Sequence, residues 1–177
     1  MMMLILDLCA GLGGASKAFR DRGWRVVTLD FDARFGCDIT ADLCAWSWGG
    51  ERPDFVWISP PCTEFARESM PWCKTGIAPD MRLVNAARRV VRESMPRLGW
   101  TLENVRGAVP YLGKPRAIAG PFFLWGEFPP IGKPVLRMRK KESYSSAASA
   151  ERAKIPYALS LAMCLAIESQ HRMELVT

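Results

Sequence analysis

Short apolar runs alternate with longer amphipathic segments along this chain. Five runs end at glycine, proline or polar residues and predict buried strands at residues 4–6, 24–29, 55–58, 100–102 and 121–128. Helices are predicted at residues 15–22, 80–97 and 155–170, the last two from apolar residues at helical spacing. Strands that alternate with helices indicate an α/β fold, with a mostly parallel central sheet and helices on both faces.

The clearest amphipathic pattern lies in the segment 80–97. One face of this predicted helix carries Leu83, Val84, Ala87, Val90 and Val91. The arginines fall on the opposite face, so the helix is predicted to cover one side of the sheet. We expect it to join the strands at 55–58 and 100–102 as parallel neighbours, through a right-handed crossover.

The length of 177 residues is that of one ordinary domain. Residues 131–149 are polar, basic and partly rich in serine and alanine, and they predict a loop or an extended arm. The sequence has no apparent internal repeat or interdomain linker. We therefore expect a single domain over residues 1–177.

The formal net charge is +6, which favours a polyanionic partner. Two groups of basic residues contribute most to this interpretation. The first, on the predicted helix, is best interpreted as a solvated helix face and comprises Arg82, Arg88, Arg89 and Arg92. The second is denser and is a candidate for phosphate contact; it comprises Arg137, Arg139, Lys140 and Lys141.

The six cysteines form no C-x-x-C pair, and the only histidine, His171, lies near the end of the sequence. These features argue against the usual zinc sites, a disulfide scaffold and a Cys-His hydrolase, so we expect reduced thiols and no metal. No apolar run approaches the roughly 20 residues that span a bilayer. Residues 1–6 lack the basic region of a signal peptide, and a cytoplasmic protein without membrane contact is expected.

The segment 7–14 (DLCAGLGG) follows the first predicted strand and leads into a helix. Gly11, Gly13 and Gly14 allow the backbone to pass close to a ligand at a positive helix N-terminus, which fits a nucleotide-like cofactor. Asp30, at the tip of the second predicted strand, is placed to accept hydrogen bonds from ribose hydroxyls. Asp32 competes for that role.

Asp38, followed by Ile39, offers a further carboxylate near a strand end. This acid suits an exocyclic amine such as that of adenine. The alternative is an N-cap or turn residue, a common role for aspartate in such positions.

Two prolines, Pro60 and Pro61, force the chain out of the sheet after the strand at 55–58. Cys62 then lies on the loop at the carboxyl end of that strand, the edge where open α/β sheets bind ligands. It is a candidate nucleophile, and inert packing is the alternative. The segment 63–79 predicts a long loop, a candidate lid.

Glu103 and Asn104 follow the strand at 100–102. If the strands at 55–58 and 100–102 are parallel neighbours, this carboxylate and this amide lie at the same sheet edge as Cys62. A turn without function is the alternative for such a pair.

In this order, the motifs resemble those of the DNA (cytosine-5) methyltransferase family, particularly its small phage- or prophage-type members. The segment 59–62 (SPPC) is similar to the catalytic Pro-Cys motif, and 103–105 (ENV) to its Glu-Asn-Val partner. Arg137 and Arg139 match the Arg-x-Arg motif, and 154–156 (KIP) is similar to the end of the last motif, which packs beside the cofactor. The resemblance implies a set of cofactor-binding residues: Asp7, Cys9, Ala10, Gly11, Gly13, Gly14, Asp30, Asp38, Ile39 and Pro60.

The resemblance implies a Rossmann-like S-adenosylmethionine-dependent methyltransferase fold and methyl transfer to C5 of cytosine in DNA. Cys62 would add to C6, Glu103 would contact N3 and the 4-amino group, and Asn104 would hold Glu103 in register. Arg137 and Arg139 would grip the target nucleotide, which must be flipped out or single-stranded. RNA as substrate, and a catalytically weak nucleic-acid-binding module that depends on a partner, remain alternatives.

Three features depart from the family pattern. Thr63 stands where glutamine is usual, and Ala153-Lys154 replaces Gly-Asn. Only a short stretch separates Arg139 from Ile155, where typical members insert a target-recognition domain. The sequence therefore predicts no separate recognition domain, and a second subunit or the basic arm at 133–141 would replace it.

Overall fold

The computed structural model describes residues 2–67, 76–136, 151 and 153–175. The strands are β1 Leu4–Leu8, β2 Arg25–Asp30, β3 Ile39–Thr40, β4 Phe55–Ile58, β5 Trp100–Asn104, β6 Ala117–Ala119 and β7 Phe122–Glu127. The α-helices are α1 Lys17–Asp21, α2 Thr63–Ala66, α3 Arg82–Ser94, α4 Val109–Leu112 and α5 Tyr157–Glu174. Short 3-10 helices occupy Ala33–Phe35 and Arg106–Ala108.

The strands form one sheet in the order β3-β2-β1-β4-β5-β7-β6. β1 to β5 are parallel, and β7 runs antiparallel to both of its neighbours. The chain moves to one side of β1 through β2 and to the other side through β4 and β5. The topological switch point, where ligands bind in such sheets, therefore lies between the carboxyl ends of β1 and β4.

Alternating side chains divide the apolar residues between two cores, as the period of two in a strand requires. Leu6 and Val56 face the core that α3 covers. Ile5 and Phe55 face the opposite core, which contains residues of α1 and α5. This mostly parallel sheet with helices on both faces confirms the predicted fold class, and β4 and β5 are the expected parallel neighbours.

The predicted bounds of 55–58 are confirmed, whereas β1 and β5 are longer than predicted. Asp7 and Leu8 continue β1 rather than opening a turn, because both pair with β2 and β4. The Asp7 carboxylate accepts a hydrogen bond from Ser16 Oγ inside the protein. Glu103 and Asn104 likewise belong to β5 and not to a turn. Buried polar residues thus extend two strands beyond their apolar runs.

Helix bounds also differ from the sequence pattern. The helix predicted at 80–97 spans Arg82–Ser94, because Met95 adopts φ 45° and Pro96 follows it. The helix predicted at 155–170 begins at Tyr157, after Pro156 in an extended conformation, and continues to Glu174. The helix predicted at 15–22 contracts to Lys17–Asp21.

Two other segments differ from their predictions. The predicted lid at 63–79 begins with α2, directly after Cys62, and residues 68–75 lie outside the described residues. The hairpin strand β6 has only three residues, too few to give a sequence pattern, and was not predicted. The apolar pattern was visible only in its partner β7.

The interpretation of the first arginine group as a solvated face is wrong for Arg89. Its guanidinium donates to the carbonyls of Leu43 at 3.1 Å and Trp46 at 2.7 Å, and to Ser47 Oγ at 2.9 Å. Arg89 therefore anchors the loop that follows β3 against α3. Within the described ranges, no helix combines the length and apolar character that crossing a membrane requires.

Candidate functional site

A cavity of about 330 Å³ lies at the topological switch point. Most of its lining comes from the turn after β1, the turn after β4 with the end of β5, and the segment that precedes α5, and Phe35, Pro121 and Phe122 complete it. Its lining comprises Cys9, Ala10, Gly11, Leu12, Gly14, Ala15, Phe35, Ser59, Pro60, Pro61, Cys62, Glu103, Val105, Pro121, Phe122, Ala153, Lys154 and Ile155. Cys62 and Glu103, predicted from separate motifs, thus line the same cavity as the glycine turn.

The turn after β1 adopts a backbone that favours glycine. Cys9, Gly11 and Gly13 have φ values of 57°, 51° and 66°, in the left-handed region. A Cβ added at Gly11 or Gly13 would meet no heavy atom within 4 Å. The turn thus leaves open space beside its backbone, as a close approach to a ligand requires, although Gly13 itself does not line the cavity.

Gly14 serves a different purpose from the other two glycines. A Cβ at this position would lie 2.5 Å from the carbonyl oxygen of Ile155 and 2.7 Å from Cγ of Lys154. Glycine is required here because the segment before α5 passes directly over the turn. Ser160 strengthens this contact: its Oγ donates to the Ala15 carbonyl and accepts the N–H of Ala18 at 3.1 Å.

Asp7 lies below the turn and is fully buried. Its Oδ2 accepts a hydrogen bond from Ser16 Oγ at 2.6 Å, whereas its buried Oδ1 has no partner among the described residues. Burial raises the pKa of this carboxyl to about 6, against the opposing effect of Ser16. Asp7 does not line the cavity. It contributes to the site by holding Ser16, which follows the glycine turn.

Asp30 connects β2 to the glycine turn. Its two carboxylate oxygens accept the N–H of Gly11 at 2.9 Å and that of Asp32 at 3.0 Å. The alternative candidate, Asp32, forms an ion pair with Arg34 at 2.6 Å. Neither acid lines the cavity.

Asp38 forms a clamp with Thr28, whose N–H and Oγ1 donate to its Oδ2 at 2.8 and 2.7 Å. Partial burial alone would raise the pKa of the Asp38 carboxyl. The hydrogen bonds from Thr28 outweigh this effect, so the pKa lies below its ordinary value. Asp38 and Ile39 lie outside the cavity lining. Asp38 directly precedes β3 and bonds to Thr28 of β2, and Ile39 begins β3, so both lie outside the space bounded by the turn and Cys62.

Cys62 follows the two prolines and begins α2, where its carbonyl accepts the N–H of Ala66 at 2.8 Å. The side chain is half-buried. Burial raises the pKa of the thiol, and the negative charge of Glu103 raises it further. In the isolated chain Cys62 is therefore held as a thiol at neutral pH.

Glu103 enters the cavity from β5, and only 8% of the residue is exposed. Burial raises the pKa of its carboxyl to about 7, and a hydrogen bond with Ser59 partly offsets this effect. Ser59 Oγ in turn accepts the indole N–H of Trp57 at 3.0 Å. Glu103 therefore exchanges a proton near neutral pH, as a general acid requires.

Asn104 is buried beside the site without lining the cavity. Its Nδ2 donates to the carbonyl of Pro60 at 3.1 Å, and its Oδ1 accepts the N–H of Val105 at 2.9 Å. The bond to Pro60 joins β5 to the turn that carries Cys62. Arg137 and Arg139, the remaining predicted catalytic residues, lie outside the described residues.

Sequence reasoning missed the aromatic walls of the cavity and the contact of Ser59 with Glu103. Phe35 comes from the 3-10 helix after β2, and Phe122 from the start of β7. No local motif marks either phenylalanine. Ser59 had a signal, because it directly precedes the two prolines at the carboxyl end of β4.

No family model and no curated protein matches this chain. Similar solved structures include a Pyrococcus horikoshii protein, at 17% identity and a TM-score of 0.43 over 67% of this chain and 57% of that chain. An Entamoeba histolytica methyltransferase has 13% identity and a TM-score of 0.49 over 81% of this chain and 58% of that chain. A glycopeptide N-methyltransferase complexed with (S)-adenosyl-L-methionine has 19% identity and a TM-score of 0.40 over 58% of this chain and 44% of that chain.

This chain spans about half the length of these matched structures. Every one of the three TM-scores is below 0.5. Such similarities assign neither an activity nor a ligand to this chain. Its site is therefore interpreted from its own geometry.

Proposed function

We propose that this chain is a methyltransferase that transfers the methyl group of S-adenosylmethionine to C5 of cytosine in DNA. The observation that carries the proposal is the shared cavity of Cys62 and Glu103 with the glycine turn. A nucleophile and an acid with a pKa of about 7 lie beside a turn suited to a nucleotide-like cofactor. This combination fits nucleophilic catalysis on a base better than it fits a passive binding site.

The residues present fit S-adenosylmethionine. The turn formed by Cys9, Ala10 and Gly11 would hold it by backbone contacts, with Pro60 on the opposite wall. Asp30, at the end of β2, would accept hydrogen bonds from the ribose hydroxyls, and Asp38, directly before β3, would accept one from the adenine amine. When bound, S-adenosylmethionine supplies a methyl group activated by its positively charged sulfur.

Cytosine C5 is too weak a nucleophile to accept a methyl group without activation. Addition of the Cys62 thiolate at C6 makes C5 nucleophilic, and negative charge develops toward N3. Protonated Glu103 would donate to N3 and stabilise that charge. C5 would then take the methyl group of S-adenosylmethionine, and S-adenosylhomocysteine would leave. Loss of the C5 proton to water, elimination of the Cys62 thiolate and return of the N3 proton to Glu103 would restore the ring.

DNA is the proposed partner. A base inside a duplex cannot reach a thiol at the bottom of a cavity, so the target cytosine must be flipped out or single-stranded. The basic residues Arg137, Arg139, Lys140 and Lys141 would contact the sugar-phosphate backbone. RNA cytosine is the alternative substrate, since the proposed reaction is the same.

An enzyme that depends on a partner subunit is a second candidate, because the raised pKa of Cys62 keeps its side chain protonated. Burial and the charge of Glu103 both raise the pKa of its thiol, and no described cation lowers it. A second subunit that supplies target recognition would also bring the positive charge that activates the thiol. Such a subunit would supply the recognition for which only a short stretch stands between Arg139 and Ile155.

The test is transfer of labelled methyl groups from S-adenosylmethionine to duplex DNA, single-stranded DNA and RNA, with identification of the product base. The proposal predicts 5-methylcytosine in DNA. Label in RNA alone would show that RNA, and not DNA, is the substrate. Label on another base or atom would overturn the proposed chemistry. Cofactor binding without any transfer would favour the partner-dependent candidate.

A further inference from the structure

The cavity has one positively charged side chain among its described lining residues. Glu103 and Lys154 are the two charged residues of that lining, and they come from different segments. Glu103 lies at the end of β5, whereas Lys154 belongs to the segment that crosses the glycine turn before α5. The cavity is therefore acidic beside Cys62 and carries a single cation elsewhere.

The contact with Gly14 fixes where Lys154 lies. Its Cγ would be 2.7 Å from a Cβ at position 14, so its aliphatic stem runs against the glycine turn. Lys154 therefore lines the end of the cavity that the glycine turn forms.

Lys154 also has no hydrogen bond or ion pair with the described residues, and it is exposed. An exposed ammonium that pairs with no described residue can bind an anionic group of a ligand. The proposed cofactor has one anionic group, the carboxylate of its amino-acid part. The other described lining residues beside the glycine turn have neutral or apolar side chains. Among them, no second positive charge is available to that carboxylate.

We propose that Lys154 binds the carboxylate of the cofactor's amino-acid part and thereby fixes its orientation in the cavity. The inference rests on the proposed function. It places the amino-acid end of the cofactor at the 153–155 segment. Gly14 contributes by leaving room for the stem of Lys154, and Lys154 is in this sense a positioning residue.

The test compares binding of S-adenosylmethionine, its decarboxylated analogue and 5′-methylthioadenosine by isothermal titration calorimetry. The variants are Lys154→Met, Lys154→Arg and Lys114→Met. Lys114 is an exposed lysine outside the cavity lining, so the last variant removes the same charge elsewhere. Circular dichroism verifies that each variant is folded.

Wild-type protein should bind S-adenosylmethionine about ten-fold more tightly than the decarboxylated analogue, the size expected for one charge-assisted contact. Lys154→Met should abolish this preference and leave the affinity for 5′-methylthioadenosine unchanged. Lys154→Arg should retain most of the preference, and Lys114→Met all of it.

A preference that persists in Lys154→Met would overturn the inference, and so would equal affinity of the wild type for the carboxylated and decarboxylated forms. In both cases the proposed function would stand, because the adenosyl compounds still bind. Failure of all three compounds to bind the wild type would overturn the proposed function and the inference together.

Discussion

Asn104 donates a hydrogen bond to the carbonyl oxygen of Pro60 at 3.1 Å, across the boundary between β5 and the turn after β4. The residue before Asn104 is Glu103, and the second residue after Pro60 is Cys62. One buried bond therefore fixes the proposed acid and the proposed nucleophile relative to each other. Asn104 acts through its neighbours, since it does not line the cavity.

Replacement of Asn104 by Asp should damage both stability and the site. The substitution removes the donor to Pro60 and places an acceptor against a carbonyl in the interior, at an expected cost of about 2 kcal/mol or more. Urea denaturation measures this loss. Asn85→Asp, on the exposed side of α3, is the matched control and should change stability by no more than about 0.5 kcal/mol. Equal effects of the two substitutions would contradict the role given to Asn104.

Glu103 should make the stability of the protein fall as pH rises from about 4.5 to about 7. Its pKa is raised from 4.5 to about 7, so the folded protein holds a proton that the unfolded chain releases, and folding is favoured below this window. The shift corresponds to about 3 kcal/mol. Asp7, with a pKa of about 6, adds to the loss at the lower end of the range.

Urea denaturation at pH 5 and pH 8 isolates the contribution of Glu103. Glu103→Gln should reduce the difference between the two pH values, because glutamine does not titrate. Glu127→Gln, at the exposed end of β7, should leave that difference unchanged. An undiminished difference in Glu103→Gln would contradict the assignment.

Gly107 should be intolerant of any side chain. A Cβ there would lie 2.0 Å from the carbonyl oxygen of Phe65, which belongs to α2 directly after Cys62. Gly107→Ala must displace α2, so we expect a destabilisation of about 1–3 kcal/mol and impaired methyl transfer. Gly132→Ala is the control, because a Cβ at that position meets nothing within 4 Å. Thermal denaturation compares the melting temperatures of the two variants. Equal melting temperatures would contradict the close packing of Gly107 against α2.

Arg89 should hold the loop after β3 in place. Arg89→Met removes its donors to Leu43, Trp46 and Ser47 and deprives two partly buried carbonyls of this partner, at an expected cost of about 1–3 kcal/mol. Hydrogen exchange of residues 41–48 should accelerate in this variant. Arg82→Met, which breaks only an exposed ion pair with Asp80, should leave that exchange unchanged. Unaltered exchange in Arg89→Met would contradict the anchoring role.

The sequence predicted which strand ends form the site, because proline and glycine residues mark those ends. Pro60 and Pro61 end β4, and the glycines after β1 require a turn, so the shared sheet edge followed from the alternation of strands and helices. The continuation of β1 through Asp7 was not predictable, because it depends on pairing with β2 and β4. The buried carboxylate also finds its partner Ser16 only in the folded chain.

Other features of the site depend on packing between segments distant in sequence. The raised pKa of Glu103 results from burial. Phe35 and Phe122 become cavity walls only when the sheet has formed, and Lys154 reaches the turn because α5 packs against α1. Such relationships leave no trace in local spacing.

Covalent trapping tests whether Cys62 is the nucleophile that attacks cytosine. The protein is incubated with S-adenosylmethionine and a DNA oligonucleotide that contains 5-fluorocytosine, in which fluorine replaces the proton lost from C5. The account predicts an adduct that resists SDS, with a mass equal to protein plus methylated oligonucleotide. It should be absent from Cys62→Ala and retained in Cys44→Ala, which alters an exposed thiol. Failure of the wild type to form the adduct, or an adduct that persists in Cys62→Ala, would contradict the claim.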